Sequence, residues 1–221
     1  MIITDNKLYN KFSLFIDRHD AGKKLANFIK DHIQGNELVY AIPAGGIPVA
    51  KSLCKILNLK FKIALVSKIV LPWNTEVGYG AVSIEGDVEL NEGLVRFLRL
   101  SKEVINKGIE ETKNKIRRRF EILPKKLTIL EKTENSILVD DGIASGYTML
   151  VALKMLKRYS KNVSIATPTA SKYALDLLEN QCDKIFVLNI RDIYPFAVAD
   201  AYEYWYDLSE EDIIKEATDD V

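Results

Sequence analysis

The chain has 221 residues, a length typical of one domain. Hydrophobic residues make up 48% of it and charged residues 28%, the composition of a globular protein with a sizeable core. The 31 lysines and arginines balance the 31 aspartates and glutamates, so the net charge is zero. A dedicated nucleic-acid binder usually carries a basic excess, and this balance disfavours that class.

Cysteine usage and the amino terminus argue against several other classes. Cys54 and Cys182 have no CxxC partner, and only His19 and His32 could join them in a metal site. We expect two small buried hydrophobes rather than a zinc site or a disulfide, which fits a reducing cytoplasm. Residues 1–12 lack the basic start and apolar run of a signal peptide. No stretch approaches the roughly 18 apolar residues that span a bilayer. The sequence predicts a cytoplasmic protein.

Short runs rich in Val, Ile and Leu alternate with longer runs of helical period. In chain order, the first half predicts a helix over Asp20–Ile33, a strand over Leu38–Pro43, a helix over Ile47–Leu57, a strand over Phe61–Val66 and a hairpin over Val82–Leu90 turning at Glu85–Asp87. The second half predicts a helix from Ser101, its N-cap, to about Phe120, strands over Ile137–Val139, Val163–Ala166 and Lys184–Leu188, and helices over Gly146–Tyr159 and Lys172–Leu178.

This alternation of strands and helices predicts an α/β fold, with a mostly parallel central sheet and helices on both faces. In such sheets, ligands bind in the loops beyond the carboxyl ends of the strands. Three loops qualify, namely Pro43–Gly46, Ser67–Tyr79 and Asp140–Thr148. We therefore expect the functional residues there.

The loop after Ile137–Val139 has the composition of an anion cradle. Its residues are Asp140 and Asp141, then Gly142, Ile143, Ala144, Ser145, Gly146, Tyr147 and Thr148. A tight turn of small residues points backbone N–H groups at one oxyanion, and the following helix adds the positive end of its dipole. Ser145 and Thr148 add hydroxyl donors, and Gly146 lets the backbone approach closely.

The two acids at the start of this loop suit a different part of a ligand. Side chains of consecutive residues diverge, so Asp140 and Asp141 could hold two adjacent hydroxyls of a ribose and favour a divalent cation nearby. Neither GxxxxGK[ST] nor GxGxxG occurs in the chain. An Asp-rich cap on an ordinary βα turn would explain any single pair of these residues. The whole string favours a sugar phosphate.

The string ILVDDGIASGYT at Ile137–Thr148 resembles the signature of type I phosphoribosyltransferases that binds PRPP. The resemblance implies a core parallel sheet flanked by helices, with a smaller hood over the active site. It also implies that Asp140 and Asp141 contact the ribose hydroxyls of PRPP and that Ala144–Thr148 hold its 5′-phosphate. Mg²⁺ would bind with PRPP; no residue is assigned as a direct metal ligand, although both acids could reach the ion through water. Ser145 replaces the more usual Thr.

Two further segments resemble the site that holds pyrophosphate in the same family. Ala44, Gly45 and Gly46 lie in a stretch similar to the pyrophosphate loop, although Gly-Gly also serves ordinary βα turns. Many relatives have Arg where this chain has Ala44. Lys68 follows a predicted strand and, by the resemblance, neutralises the leaving group as a catalytic residue; otherwise it is a solvated lysine. Relatives often have a basic residue in place of Ser67.

The resemblance extends over nearly the whole chain. Leu71–Val82 is similar to the mobile loop that closes over the site in this family, and Asp17–Gly22 and Pro195–Leu208 are similar to segments of one uncharacterised branch. We therefore expect a single domain over residues 1–221, with a hood formed by the terminal segments, approximately 1–20 and 190–221. The family also implies a homodimer.

The implied activity is transfer of the 5-phosphoribosyl group from PRPP to a nitrogenous base with release of pyrophosphate. Enzymes acting on hypoxanthine and guanine usually carry an Asp where Ala144 stands, which argues against those bases. Glu76 is one candidate general acid or base. Because Ala44 and Ser67 weaken the pyrophosphate site, a non-catalytic regulator that senses PRPP or a nucleotide is the alternative.

Two clusters have both a structural and a functional interpretation. Lys115–Arg119 is either a solvated helix face or a patch that binds phosphate or nucleic acid. An aromatic group near the carboxyl end belongs either to the core or a dimer contact, or to the wall of a base pocket. Its members are Phe196, Tyr202, Tyr204, Trp205 and Tyr206.

Overall fold

The computed structural model of the chain describes residues 1–218, which form a parallel sheet and a smaller antiparallel sheet. Numbered in chain order, the strands are β1 (Ile2–Thr4), β2 (Leu38–Ala41), β3 (Lys60–Ile63), β4 (Val66–Leu71), β5 (Asn74–Ser83), β6 (Val88–Leu90), β7 (Thr133–Val139), β8 (Ser160–Ser171) and β9 (Ile185–Arg191). The six-stranded sheet has the order β1-β9-β8-β7-β2-β3, and all its pairs are parallel. The predicted α/β class with a parallel central sheet is confirmed.

Helices connect and cover these strands. They are α1 (Arg18–Ile29), α2 (Gly46–Leu57), α3 (Glu92–Phe97), α4 (Lys102–Ile122), α5 (Lys125–Thr128), α6 (Tyr147–Leu156), α7 (Lys172–Leu178) and α8 (Glu210–Thr218). The Ser101 cap of α4 is confirmed, since its side chain accepts a hydrogen bond from the Val104 amide. Within residues 1–218, no helix has both the length and the apolar composition that crossing a membrane would require.

The central strand β7 shows why helices cover both faces of the sheet. Ile137 and Val139 are buried in a core with α1 and α2, whereas Leu138 is buried on the other face with α6 and α7. A parallel strand buried on both faces reads as a continuous apolar run rather than an alternating one. The sequence Ile-Leu-Val therefore fits the centre of this sheet.

The second sheet corrects the expectation for Ser67–Tyr79. That segment was predicted as a loop, and it instead forms most of the antiparallel hairpin of β4 and β5. The segment Leu71–Val82 is likewise mostly strand rather than loop. Glycines obscure the strand pattern here, because Gly80 permits a close approach: a Cβ on it would lie 2.5 Å from the Glu89 carbonyl oxygen of β6. The predicted hairpin over Val82–Leu90 is confirmed.

Smaller differences fall at the ends of elements and in short ones. The strand predicted over Phe61–Val66 ends at Ile63, and Val66 already belongs to β4. The sequence did not predict β1, α3 or α8, which have three, six and nine residues. Elements this short carry too few residues to establish a period.

The terminal segments predicted to form a hood contact both the sheet and each other. β1 pairs with β9, and Phe15 forms an isolated bridge with Tyr202. The hood and the single-domain assignment stay predictions. Residues 219–221 of that assignment lie outside the described residues.

Gly22 sets how closely α1 packs on α2, and its replacement tests that packing. A Cβ on Gly22 would lie 2.3 Å from the Val49 carbonyl oxygen and 2.9 Å from the Ser52 Cβ. Gly22→Ala should therefore lower the free energy of unfolding by about 1–2 kcal/mol, although alanine alone favours a helix. Urea unfolding measures the change. The control is Gly93→Ala in α3, where the nearest atom would be 3.4 Å away. An equal or smaller loss in Gly22→Ala would contradict this packing.

Candidate functional site

The two glycine-bearing loops meet at the carboxyl ends of β2 and β7. These strands are neighbours, and Ala41 is in register with Val139. The Ile42 amide donates to the Val139 carbonyl at 2.8 Å, so the two chains stay paired as they leave the sheet. Gly46 allows this proximity, because a Cβ there would lie 2.6 Å from that same carbonyl oxygen. The peptide bond between Pro43 and Ala44 is cis.

The segment after Asp141 has the geometry of an anion cradle. β8 anchors it through two backbone bonds, from the Ile143 amide to Thr169 at 3.0 Å and from the Ser171 amide to Ile143 at 2.9 Å. Gly146 has φ of 85°, which favours glycine, and α6 starts at the next residue.

The amides of this cradle are free to bind a ligand. Within residues 1–218, the amides of Ala144, Ser145 and Gly146 donate to no protein oxygen. The first amides of the ten-residue helix α6 follow directly. This concentration of donors at a helix amino terminus matches a phosphate group.

The two adjacent acids have different surroundings. Asp140 Oδ1 accepts a hydrogen bond from the Asp141 amide at 2.9 Å. Asp141 is buried, and its Oδ2 accepts one from Arg18 Nε at 2.7 Å. The Tyr202 hydroxyl donates to the Asp141 carbonyl oxygen at 2.6 Å. Asp141 is therefore fixed by the protein through both its side chain and its backbone.

Burial makes the charged form of both acids costly. It raises the pKa of Asp140 well above the usual range, and the neighbouring Asp141 charge raises it further. Burial also raises the pKa of Asp141, although the Arg18 guanidinium opposes the change. A ligand that brings hydroxyl donors or positive charge would stabilise both carboxylates.

Arg18 and Tyr202 contact Asp141, and sequence reasoning predicted neither contact. Arg18 begins α1, and its guanidinium carbon lies 3.9 Å from the ring centroid of Trp205. The ring of Tyr202 packs between Phe15 and Trp205, with centroid distances of 5.5 and 5.2 Å. Two sequence signals existed: both residues lie in segments resembling one branch of the family, and Tyr202 belongs to the aromatic group interpreted either as core or dimer contact or as the wall of a base pocket. Tyr202 and Trp205 thus follow the structural interpretation of the aromatic group.

Lys68 and Arg119, two of the predicted basic residues, bond to residues other than the two acids. Lys68 is exposed on β4, and its Nζ approaches the Glu76 carbonyl oxygen at 3.4 Å. In the described part of the chain, no hydrogen bond or ion pair joins Lys68 to either acid. In Lys115–Arg119, Arg119 is buried and pairs with Glu210 of α8 at 2.9 Å. That run is therefore only partly a solvated face.

Other groups with potential metal or thiol chemistry are dispersed within residues 1–218. Among residues 1–218, no group of three or more His, Cys, Asp or Glu residues is placed to hold a metal ion. Cys54 is buried and unsuited to act as a nucleophile, since burial raises the pKa of its thiol to about 12. Burial also raises the pKa of the Cys182 thiol, to about 11.

Comparison with known proteins identifies the family. The family model of the phosphoribosyl transferase domain matches residues 16–201, which include both loops of the site. The chain belongs to the phosphoribosyl transferase domain family. Membership supports phosphoribosyl transfer as the general chemistry.

Individual relatives agree with this membership. The sequence of TT1426 from Thermus thermophilus is 26% identical to this chain. Its crystal structure superposes with a TM-score of 0.69 and covers 92% of this chain and 97% of that one. Two proteins provisionally named as phosphoribosyl transferases, from the CDC 1551 and H37Rv strains of Mycobacterium tuberculosis, are each 26% identical over 91% of this chain. The chain spans 46% of their length, about half.

The Tyr202 hydroxyl tests how the carboxyl-terminal segment supports the acid loop. Tyr202→Phe leaves the Asp141 carbonyl without its 2.6 Å donor in a buried place, which should cost about 1–3 kcal/mol of unfolding free energy. Urea denaturation measures this. Tyr204→Phe is the control, because Tyr204 is 68% exposed, and its replacement should change stability by less than about 0.5 kcal/mol. Equal effects in the two variants would contradict the assignment.

Proposed function

We propose that this chain transfers the 5-phosphoribosyl group from Mg²⁺-bound PRPP to a nitrogenous base and releases pyrophosphate. One observation carries the proposal: a cradle of free amides and a pair of acids lie together at the carboxyl end of β7, directly beside the Gly45–Gly46 turn that follows β2. A phosphate, a ribose diol and a second phosphate group each find suitable partners there. Membership in the phosphoribosyl transferase domain family supports the same chemistry.

Each part of the site takes one part of PRPP. The amides from Ala144 to Thr148 would hold the 5′-phosphate, with the hydroxyls of Ser145 and Thr148 as added donors. Asp140 and Asp141 would accept hydrogen bonds from the ribose hydroxyls. The backbone at Ala44–Gly46, which borders Asp141, would hold the pyrophosphate.

The reaction displaces pyrophosphate from C1 of the ribose by a ring nitrogen of the base. Its transition state resembles an oxocarbenium ion, as in glycoside hydrolysis. The residues of this chain act by positioning the reactants and by compensating charge. Lys68, carried by the β4–β5 hairpin, would approach the leaving pyrophosphate. Glu76 on the same hairpin is the candidate that exchanges a proton with the base.

Magnesium fits this site as part of the substrate rather than as a resident ion. The chain offers the carboxylates of Asp140 and Asp141, and the remaining ligands would come from phosphate oxygens and water. When bound, the ion neutralises charge on the departing pyrophosphate. The two acids would contact it through water while they orient the ribose.

The proposal extends to the class of acceptor base. Ala144 stands where enzymes of hypoxanthine and guanine usually have Asp, so we favour another purine or pyrimidine. Phe196, Tyr204 and Tyr206 remain candidates for the wall of a base pocket; Tyr204 and Tyr206 are exposed. A homodimer in the cytoplasm is part of the proposal.

The second candidate function is a regulator that binds PRPP or a nucleotide without consuming it. The specific observation in its favour is the weak positive charge of the pyrophosphate site. Ala44 and Ser67 are both neutral, so neither position offers a cation to a ligand. Ser67 is also buried in β4. Binding without turnover would be the result.

Titration and a turnover assay decide between these functions. Calorimetry with PRPP and Mg²⁺ measures binding, and release of pyrophosphate is then assayed against a panel of purine and pyrimidine bases. Binding with base-dependent release supports the transferase and names its acceptor. Binding without release supports the regulator. No binding by the folded protein contradicts both.

The double variant Asp140→Asn/Asp141→Asn tests the role of the acids. Loss of both carboxylates should reduce turnover by at least about 100-fold. The neutral Asn side chains accept hydrogen bonds from the ribose hydroxyls more weakly than carboxylates do, and they do not compensate positive charge in the transition state. The control is Glu110→Gln/Glu111→Gln, which neutralises two adjacent acids exposed on α4. Near-normal turnover in the first variant would refute the assignment.

Gly45 offers a separate test of the contact between the loop after β2 and the acid loop after β7. A Cβ on Gly45 would lie only 1.7 Å from Asp141 Oδ2. Gly45→Ala must therefore displace either the loop or the acid, and we expect the Kd for Mg²⁺-PRPP to rise about tenfold or more. Gly93→Ala, outside the site, should leave the Kd unchanged. Calorimetry measures both values, and equal Kd values for both variants would argue against this geometry.

A further inference from the structure

Arg18 is a buried cation that joins three separate parts of the chain. The residue is 7% exposed, and its Nε lies 2.7 Å from Asp141 Oδ2. Its Nη1 donates to the Tyr206 carbonyl oxygen at 2.8 Å. Its guanidinium carbon lies 3.9 Å from the Trp205 ring centroid. A planar guanidinium with a partner at its Nε, at its Nη1 and on its face has one fixed orientation.

The carboxylate of Asp141 is confined by this cation and by the facing loop. Arg18 bonds its Oδ2, and the backbone of Gly45 lies so close to the same oxygen that a Cβ would overlap it. The Tyr202 hydroxyl holds the Asp141 carbonyl oxygen. The backbone of Asp141 is therefore fixed independently, whereas the direction of its side chain depends on Arg18.

We propose that Arg18 is a positioning residue for PRPP, acting through Asp141. This role rests on the proposed function. Arg18 holds the Asp141 carboxylate at the angle at which it receives a ribose hydroxyl, and it compensates one of the two adjacent negative charges. Within residues 1–218, the Asp140 carboxylate forms no ion pair, and its Oδ1 accepts a hydrogen bond from the Asp141 amide.

This role links two segments that are far apart in the sequence. Arg18 belongs to Asp17–Gly22, and two of its partners, Trp205 and Tyr206, belong to Pro195–Leu208. These segments meet at Arg18, beside the Asp141 carboxylate. Their joint task is to orient one carboxylate of the PRPP site.

A double-mutant cycle tests the proposal. The Kd for Mg²⁺-PRPP is measured by calorimetry for the wild type, Arg18→Met, Asp141→Asn and the double variant. Arg18→Met should raise the Kd about 10- to 100-fold, the usual effect of removing a residue that orients a ligand-binding side chain. In the Asp141→Asn background, the same change should raise the Kd less than about twofold, because its target is already lost.

Conservative replacement separates positioning from a structural contribution. Arg18→Lys keeps the charge but not the planar fork, so its Kd should lie between those of the wild type and Arg18→Met. If Arg18→Met fails to fold, the cycle is completed with Arg18→Lys. Melting temperatures of all variants report whether the proteins are folded.

Lys62→Met is the matched control. Lys62 is also 7% exposed, and its Nζ likewise bonds a carboxylate, Glu131 Oε1 at 2.7 Å, and a carbonyl, Lys126 at 2.9 Å. It lies on the edge strand β3 and should affect stability without changing the Kd.

Distinct results would overturn the two proposals. If the wild type binds Mg²⁺-PRPP and the effects of Arg18 and Asp141 multiply independently, Arg18 has no positioning role and the proposed function stands. If Lys62→Met weakens binding as much as Arg18→Met, the effect is structural. If the folded wild type binds no Mg²⁺-PRPP, the proposed function fails, and the role of Arg18 fails with it.

Discussion

The parallel pairing of β2 with β7 is the constraint on which the rest of the site depends. It places Ala41 beside Val139, so the two loops that follow leave the sheet from adjacent points. Glycines at positions 45 and 46 then let one loop lie against the carbonyl of Val139 and the carboxylate of Asp141. The proposed substrate carries phosphate groups at both ends of a ribose, and loops that leave neighbouring parallel strands side by side would suit it.

The residues that confine Asp141 come from distant parts of the chain. Arg18 comes from the first helix, Gly45 from the loop after β2 and Tyr202 from the carboxyl-terminal segment. Each contact joins residues far apart in the sequence, and together they confine both the backbone and the side chain of Asp141. The acid is held at a cost in desolvation, which the direction of its pKa shift records. Such cost is typical of groups that are built to meet a ligand rather than to stabilise a fold.

Sequence reasoning succeeded where short-range patterns determine structure. The apolar run of β7, the small residues of the cradle and the cap at Ser101 are all local signals, and each was found in the structure. It failed for the β4–β5 hairpin, where Gly78 and Gly80 replace the side chains that would mark a strand. It could not find the link of Arg18 to Asp141, because 123 residues separate the partners and no periodicity encodes their contact.

The use of main-chain amides in the cradle has a consequence for sequence divergence. The proposed phosphate donors at Ala144 and Ser145 are main-chain amides, which every residue except proline supplies. The side chain of Ala144 can therefore change while its amide stays available to the phosphate, whereas a change at Ser145 keeps the amide but can remove the proposed hydroxyl donor. Gly142 has no such freedom, since a Cβ there would lie 2.4 Å from a methyl group of Val198. Distant proteins of this kind should accordingly be easier to detect by the spacing of their small residues than by the identity of the residues that approach the phosphate.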